Sequence, residues 1–147
     1  MEIRPATLID ITNILLMLGE MQQEMSETLD EVHWPKVSHI ALDCINRGLV
    51  LAAHTDEGDF AGSVGGVLGP EWYSEQPVLS DYWFYVRKDF RASPAGFKLM
   101  KAFKALSIEL NVPLRVGHTL GKDLERMDKF YGKLGFERTG TIFRKAS

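Results

Sequence analysis

The chain has 147 residues and a formal net charge of −3, with 45% hydrophobic, 25% charged and 10% aromatic residues. That length suits a single domain, 1–147, whose core needs neither disulfides nor a structural metal, and the composition excludes disordered and collagen-like chains. The acidic balance disfavours nucleic acid and anionic membranes as general partners and mildly favours a cationic one.

The first apolar stretch, Ile14 to Leu18, is five residues long. It is too short for a membrane span or a secretory signal, so no membrane partner and a cytoplasmic location are expected. The single cysteine, Cys44, has no intrachain disulfide partner and no metal-ligand spacing around it, so it reads as core and no metal site is expected.

Met1 to Arg4 has the pattern of a short first strand. Thr7 and Asp10 supply a hydroxyl and a carboxylate where the unpaired amides of a helix start would lie. Ile11, Ile14, Leu15, Leu18, Met21 and Met25 recur at spacings of three and four, which predicts a helix to about Met25. Pro35 suits the first turn of a second helix, with Val37, Ile40, Ala41 and Cys44 as its apolar stripe and Gly48 as its left-handed stop.

Leu49 to Ala53 and Ala61 to Leu68 predict two strands of a hairpin turning at Asp56 to Asp59. Gly69 to Ser80, with Pro70 and Pro77, reads as a long connection, and Tyr82 to Val86 carries the strongest strand signal. A helix follows, marked by Leu99, Phe103, Leu106 and Leu110, with Lys98, Lys101 and Lys104 on its opposite side. Val112 to His118 predicts a strand, Glu125 to Lys133 a short helix closed by Gly135, and Thr139 to Arg144 a final strand.

The segment Val86 to Phe97 runs from a strand end through small residues into a helix start. Such a turn aims unpaired amides and the positive end of a helix at one point, which suits a phosphate, although many junctions of this kind are plain connections. Downstream, Phe130-Tyr131-Gly132-Lys133-Leu134-Gly135-Phe136 joins an aromatic pair to a Gly-Phe helix stop.

With the opening Ile3-Arg4-Pro5-Ala6-Thr7 and Asp10, these segments resemble the GNAT superfamily of acetyl-coenzyme A dependent acyltransferases over almost the whole chain. The acid before an aromatic-rich strand, Asp81-Tyr82-Trp83-Phe84-Tyr85-Val86, is similar to short phage or prophage acetyltransferases. The resemblance implies an α/β (α+β) domain with a central mixed, mostly antiparallel, splayed β-sheet and about four flanking helices.

It also implies transfer of an acetyl group from acetyl-CoA to a primary amine, by direct attack in a ternary complex. Val86 matches the strand-end position that pairs with the pantetheine arm, with Tyr85 beside it at the splay. Arg91, Ala92, Ser93, Pro94, Ala95 and Gly96 match the Arg/Gln-x-x-Gly-x-Gly/Ala loop, leading into Phe97 and Lys98. Pro94 stands where that pattern usually has glycine and removes one amide donor. Tyr131 matches the tyrosine that protonates the departing thiolate, though an aromatic on a short amphipathic helix also suits a core.

Asp81 is the leading general base, set against an exposed acid at a strand start, and His118 is the alternate. Glu71, Trp72 and Tyr73, in the connection before the strongest strand, can receive a cationic substrate or form an ordinary surface loop. The lysine row is equally a solvated helix face. The acceptor is a small-molecule amine or a protein amino group, and a homodimer is a further expectation. The competing readings are a catalytically weak coenzyme-binding or interaction module and an enzyme acting on charged transfer RNA, which the negative charge disfavours. The incomplete glycine pattern excludes a dinucleotide-binding Rossmann fold.

Overall fold

The computed structural model describes residues 1–25, 31–118 and 123–146. Strands β1 (Glu2–Pro5), β2 (Val50–His54), β3 (Phe60–Pro70), β4 (Pro77–Val86) and β5 (Leu114–Arg115) form one sheet in that order. The first three pairings are antiparallel and the last, β4 with β5, is parallel. Helices α1 (Ile11–Glu24) and α2 (Trp34–Asn46) lie between β1 and β2, α3 (Ala95–Glu109) between β4 and β5, and α4 (Leu124–Lys133) after β5.

The approach to α1 is fixed by a buried carboxylate. Asp10, 2% exposed, accepts two bonds from the Arg4 guanidinium at 2.9 and 3.1 Å and one from the Thr7 amide at 2.8 Å. Burial alone would raise its pKa, but these donors outweigh burial and leave it lowered. At α2, His33 caps the start, its Nδ1 accepting the Lys36 amide at 3.2 Å, with Pro35 in the first turn and Gly48 at φ +74° past the end.

The sheet separates two cores. One holds Ile14, Met17 and Leu18 of α1 with Ala41, Cys44 and Ile45 of α2 against Trp83 and Tyr85; the other holds Leu99, Met100 and Phe103 of α3 against Leu79, Val64 and Ala53. Strict alternation would put Leu79, Asp81, Trp83 and Tyr85 on one face. A bulge breaks it. Gly65 opposes Trp83 while Gly66 opposes Asp81, so Tyr82 is an extra residue in β4 and the pattern inverts there. Phe84 and Val86 thereby join Leu79 on the α3 face, while Trp83 and Tyr85 turn to α1 and α2.

Three expectations are corrected. The connection Gly69 to Ser80 shortens to residues 71–76, because β3 extends to Pro70 and β4 begins at Pro77. The two prolines are cross-strand neighbours at the loop end of the hairpin, flanking residues 71–76, where a missing N–H costs least. The strand over Val112 to His118 contracts to Leu114–Arg115. Thr139 to Arg144 forms no strand; Ile142 and Phe143 are 88% and 90% exposed, for strand-prone residues stay irregular without a neighbouring strand to bond.

The bulge yields a stability prediction. A Cβ at Gly66 would lie 2.7 Å from both the Phe103 ring and the Ser80 carbonyl oxygen. Gly66→Ala is therefore expected to cost about 1–3 kcal/mol, measured by denaturant unfolding, because backbone on one side cannot yield.

Candidate active site

The β4–β5 ladder holds at two positions, Leu79–Leu114 and Ser80–Arg115, with the Leu79 amide on the Pro113 carbonyl at 2.9 Å. Past Ser80 the strands part. The Asp81 carboxylate spans the start of the gap, accepting the Gly117 amide at 3.0 Å. A cleft of about 400 Å³ opens there, walled by the end of α1, the outer half of β4, the start of α3, the chain after β5, and α4.

Many of the sequence-predicted residues meet in this cleft. Asp81, His118 and Tyr131 line it, as do Tyr85, Val86, Arg91, Ser93, Gly96 and Phe97. The others lie elsewhere. Ala95 is fully buried in the α3 core, and Ala92 and Pro94 are exposed beside the cleft. Lys98 reaches toward the Met1 carbonyl, 3.4 Å from its Nζ, and Lys104 donates to the Leu134 carbonyl at 2.8 Å. Glu71, Trp72 and Tyr73 sit at the tip of the β3–β4 hairpin, with Glu71 paired to Arg115 at 2.5 Å and Trp72 93% exposed.

Sequence reasoning missed Glu24, Arg126 and Met127, which also line the cleft. For Glu24 a signal existed. Glu20 and Glu24 are four apart, as are Arg87 and Arg91, and they pair rung by rung. Arg87 meets Glu20 at 2.9 Å, and one Arg91 nitrogen meets both Glu24 oxygens at 2.9 Å. The Tyr85 hydroxyl donates to Glu24 at 2.5 Å beneath the Arg91 guanidinium, which stands 5.1 Å from the ring centre. Burial raises the Glu24 pKa, but the Tyr85 and Arg91 bonds outweigh it and leave the carboxyl lowered. Arg91 also donates through Nε to the Val86 carbonyl at 3.1 Å, so its charge is committed to bracing α1 and β4.

Opposite this brace the chemistry differs. Burial pushes the Asp81 pKa up to about 6, against the lowering effect of the Gly117 amide. Tyr131 is raised as well, first by burial and then by the charge of Asp81, so its hydroxyl keeps its proton. That hydroxyl is buried with no hydrogen-bond partner among the described residues. Its ring packs edge-on against Phe130 and Phe136, at 5.2 and 5.5 Å, while Phe130 stacks on Phe84 at 5.8 Å.

No family model and no curated protein matches this chain in sequence. Solved structures do match it in shape. A ribosomal-protein-alanine N-acetyltransferase from Brucella melitensis biovar Abortus 2308 superposes with a TM-score of 0.68 at 16% identity, over 100% of each chain. A GNAT-family acetyltransferase from Listeria monocytogenes 4b F2365 gives 0.66 at 17% identity, over 96% of this chain and 88% of that one. The fold is that of the GNAT acetyltransferases. An aminoglycoside antibiotic 6'-N-acetyltransferase from Acinetobacter haemolyticus shares it, with a TM-score of 0.70 at 14% identity over 100% of this chain and 98% of that one.

Within this GNAT fold the cleft residues fit acetyl-CoA. The Tyr131 hydroxyl, without a partner among the described residues, is a donor in want of an acceptor. Pro94 is the N-cap of α3, so its missing N–H precedes the first turn, and the amides of Gly96 and Phe97 have no intrahelical acceptor. Gly96 also keeps the turn low: a Cβ there would touch Val86 at 3.4 Å and Phe84 at 3.7 Å.

The raised Asp81 pKa has a stability consequence. Between its ordinary value of 3.8 and about 6 the folded protein holds the extra proton, so stability falls as pH rises through that window and stays reduced above it. Asp81→Asn, which can still accept the Gly117 amide, is expected to raise the Tm at about pH 8 and to have little effect at about pH 4.

Proposed function

We propose that the protein is an N-acetyltransferase that moves an acetyl group from acetyl-CoA to a primary amine by direct attack in a ternary complex. The observation that carries this reading is the meeting of Asp81 and Tyr131 in the gap between β4 and β5, beside the first turn of α3. Acetyl-CoA, when bound, supplies a thioester carbonyl and a thiolate leaving group. The amides of Gly96 and Phe97 and the backbone at Tyr85-Val86 would hold it.

The division of labour follows from the two titrating groups. An alkylammonium has a pKa of about 10 and must lose a proton before it is nucleophilic. Asp81, with a pKa of about 6, is ionised at neutral pH yet a stronger base than an ordinary carboxylate. It takes the amine proton, directly or through water. Tyr131 holds its own proton against burial and the nearby carboxylate, so it serves as the donor to a departing thiolate. A covalent route through cysteine is disfavoured, because Cys44 lies 3% exposed in the α1–α2 core and burial raises its thiol pKa.

Calorimetric titration with acetyl-CoA, with NADH and adenosine as controls, tests the reading at its base. Selective one-site binding is expected; undetectable binding would leave a module that keeps the fold without the activity. Tyr131→Phe should retain that binding while lowering kcat by about a hundredfold or more. Wild-type kcat/KM should rise through about pH 6 as Asp81 ionises, and Asp81→Asn should lose that limb. An unchanged profile would move the base role to His118 or a water relay.

A further inference from the structure

We propose that the acceptor is a monoamine on an apolar body, such as an arylalkylamine, rather than a polycation. The inference rests on the acetyl-transfer reading above. It is carried by what lines the approaches to Asp81. Met21 and Met25 stand one turn apart at the end of α1, Met127 projects from α4, and Tyr82 lies beside Asp81, 52% exposed. The three methionines are only half-buried. Unbranched thioethers next to an aromatic ring form an adaptable apolar wall, which suits a flat or flexible hydrocarbon body.

The charges point the same way. Three carboxylates line the cleft, Glu24, Asp81 and Asp123, against two guanidiniums, Arg91 and Arg126. Glu24 is already matched by Arg91 at 2.9 Å and approached by Lys88 at 3.8 Å. Among the described residues that line the cleft, what remains is close to one negative charge, enough for a single ammonium drawn toward Asp81. A polyamine or aminoglycoside would set further ammonium groups against methionine and aromatic surface. Burying such charges without partners is strongly unfavourable.

The test separates this inference from the reading beneath it. Protein saturated with coenzyme A, which cannot react, is titrated with phenethylamine, spermidine and kanamycin, and the same amines are then assayed for thiol release with acetyl-CoA. Phenethylamine is expected to bind at least about tenfold more tightly than either polycation and to give the highest kcat/KM. Met25→Glu, at a half-buried helix end that should tolerate the change, is expected to shift that preference about tenfold toward spermidine while leaving acetyl-CoA affinity unchanged. A wild-type preference for spermidine or kanamycin overturns the inference and leaves acetyl transfer standing. Bound acetyl-CoA with no small amine acetylated also overturns the inference, and leaves a protein amino group or a catalytically weak module as the reading. Failure to bind acetyl-CoA overturns both.

Discussion

The parting of β4 from β5 is the constraint on which the site depends. Parallel strands that stay paired leave no room between them; here the ladder stops after Ser80–Arg115. A residue just past the stop has lost its main-chain partner on one side and lies in a half-dry gap. Asp81 is that residue. Its carboxylate answers one of the released amides, at Gly117, and its burial there lifts its pKa toward neutrality. One break in the hydrogen bonding therefore creates the cleft and tunes a group inside it.

The bulge at Tyr82 adds the second ingredient. Inverting the alternation of β4 sends Trp83 and Tyr85 into the α1–α2 core and Phe84 and Val86 toward α3 and α4. The cleft thus has walls from both faces of the sheet. Gly65 and Gly66 make this possible, since Trp83 crosses directly over the first and Phe103 presses on the second. On one side the Glu20–Arg87 and Glu24–Arg91 rungs tie α1 to the end of β4. Exposed ion pairs contribute little stability singly. Together with Tyr85 they fix where the α1 wall stands.

Committing Arg91 to that brace leaves the turn before α3 with main-chain donors rather than a free guanidinium. Its guanidinium is held by Glu24 and the Val86 carbonyl, which leaves first-turn amides and small residues as the groups the turn presents to the cleft. Pro94 is compatible with this because it caps the helix rather than occupying its first turn. A proline at that position looks disruptive in the sequence; its place at the N-cap keeps its missing N–H out of the first turn.

Much of the molecule was legible in the sequence for local reasons. Apolar spacing of three and four marked the first three helices, Gly48 and Gly135 marked the ends of the second and the last, and aromatic and β-branched runs marked the central strands. The Val86 to Phe97 turn and the Tyr131 segment, taken together, indicated the acetyltransferase fold. What the sequence misjudged depended on partners distant in the chain. Thr139 to Arg144 has strand-prone residues, but a strand needs a neighbour, and in the fold the sheet ends at the two-residue β5. Glu71, Trp72 and Tyr73 read equally as substrate contacts or as a surface loop; the extension of β3 and β4 puts them at a hairpin tip, and they are not among the residues lining the cleft. The pairing of Glu24 with Arg91, the position of Asp81 at the end of a ladder and the solitary Tyr131 hydroxyl were decided by tertiary structure alone. Periodicity reports which face of an element is apolar; desolvation and hydrogen bonding belong to the space between elements, which packing creates.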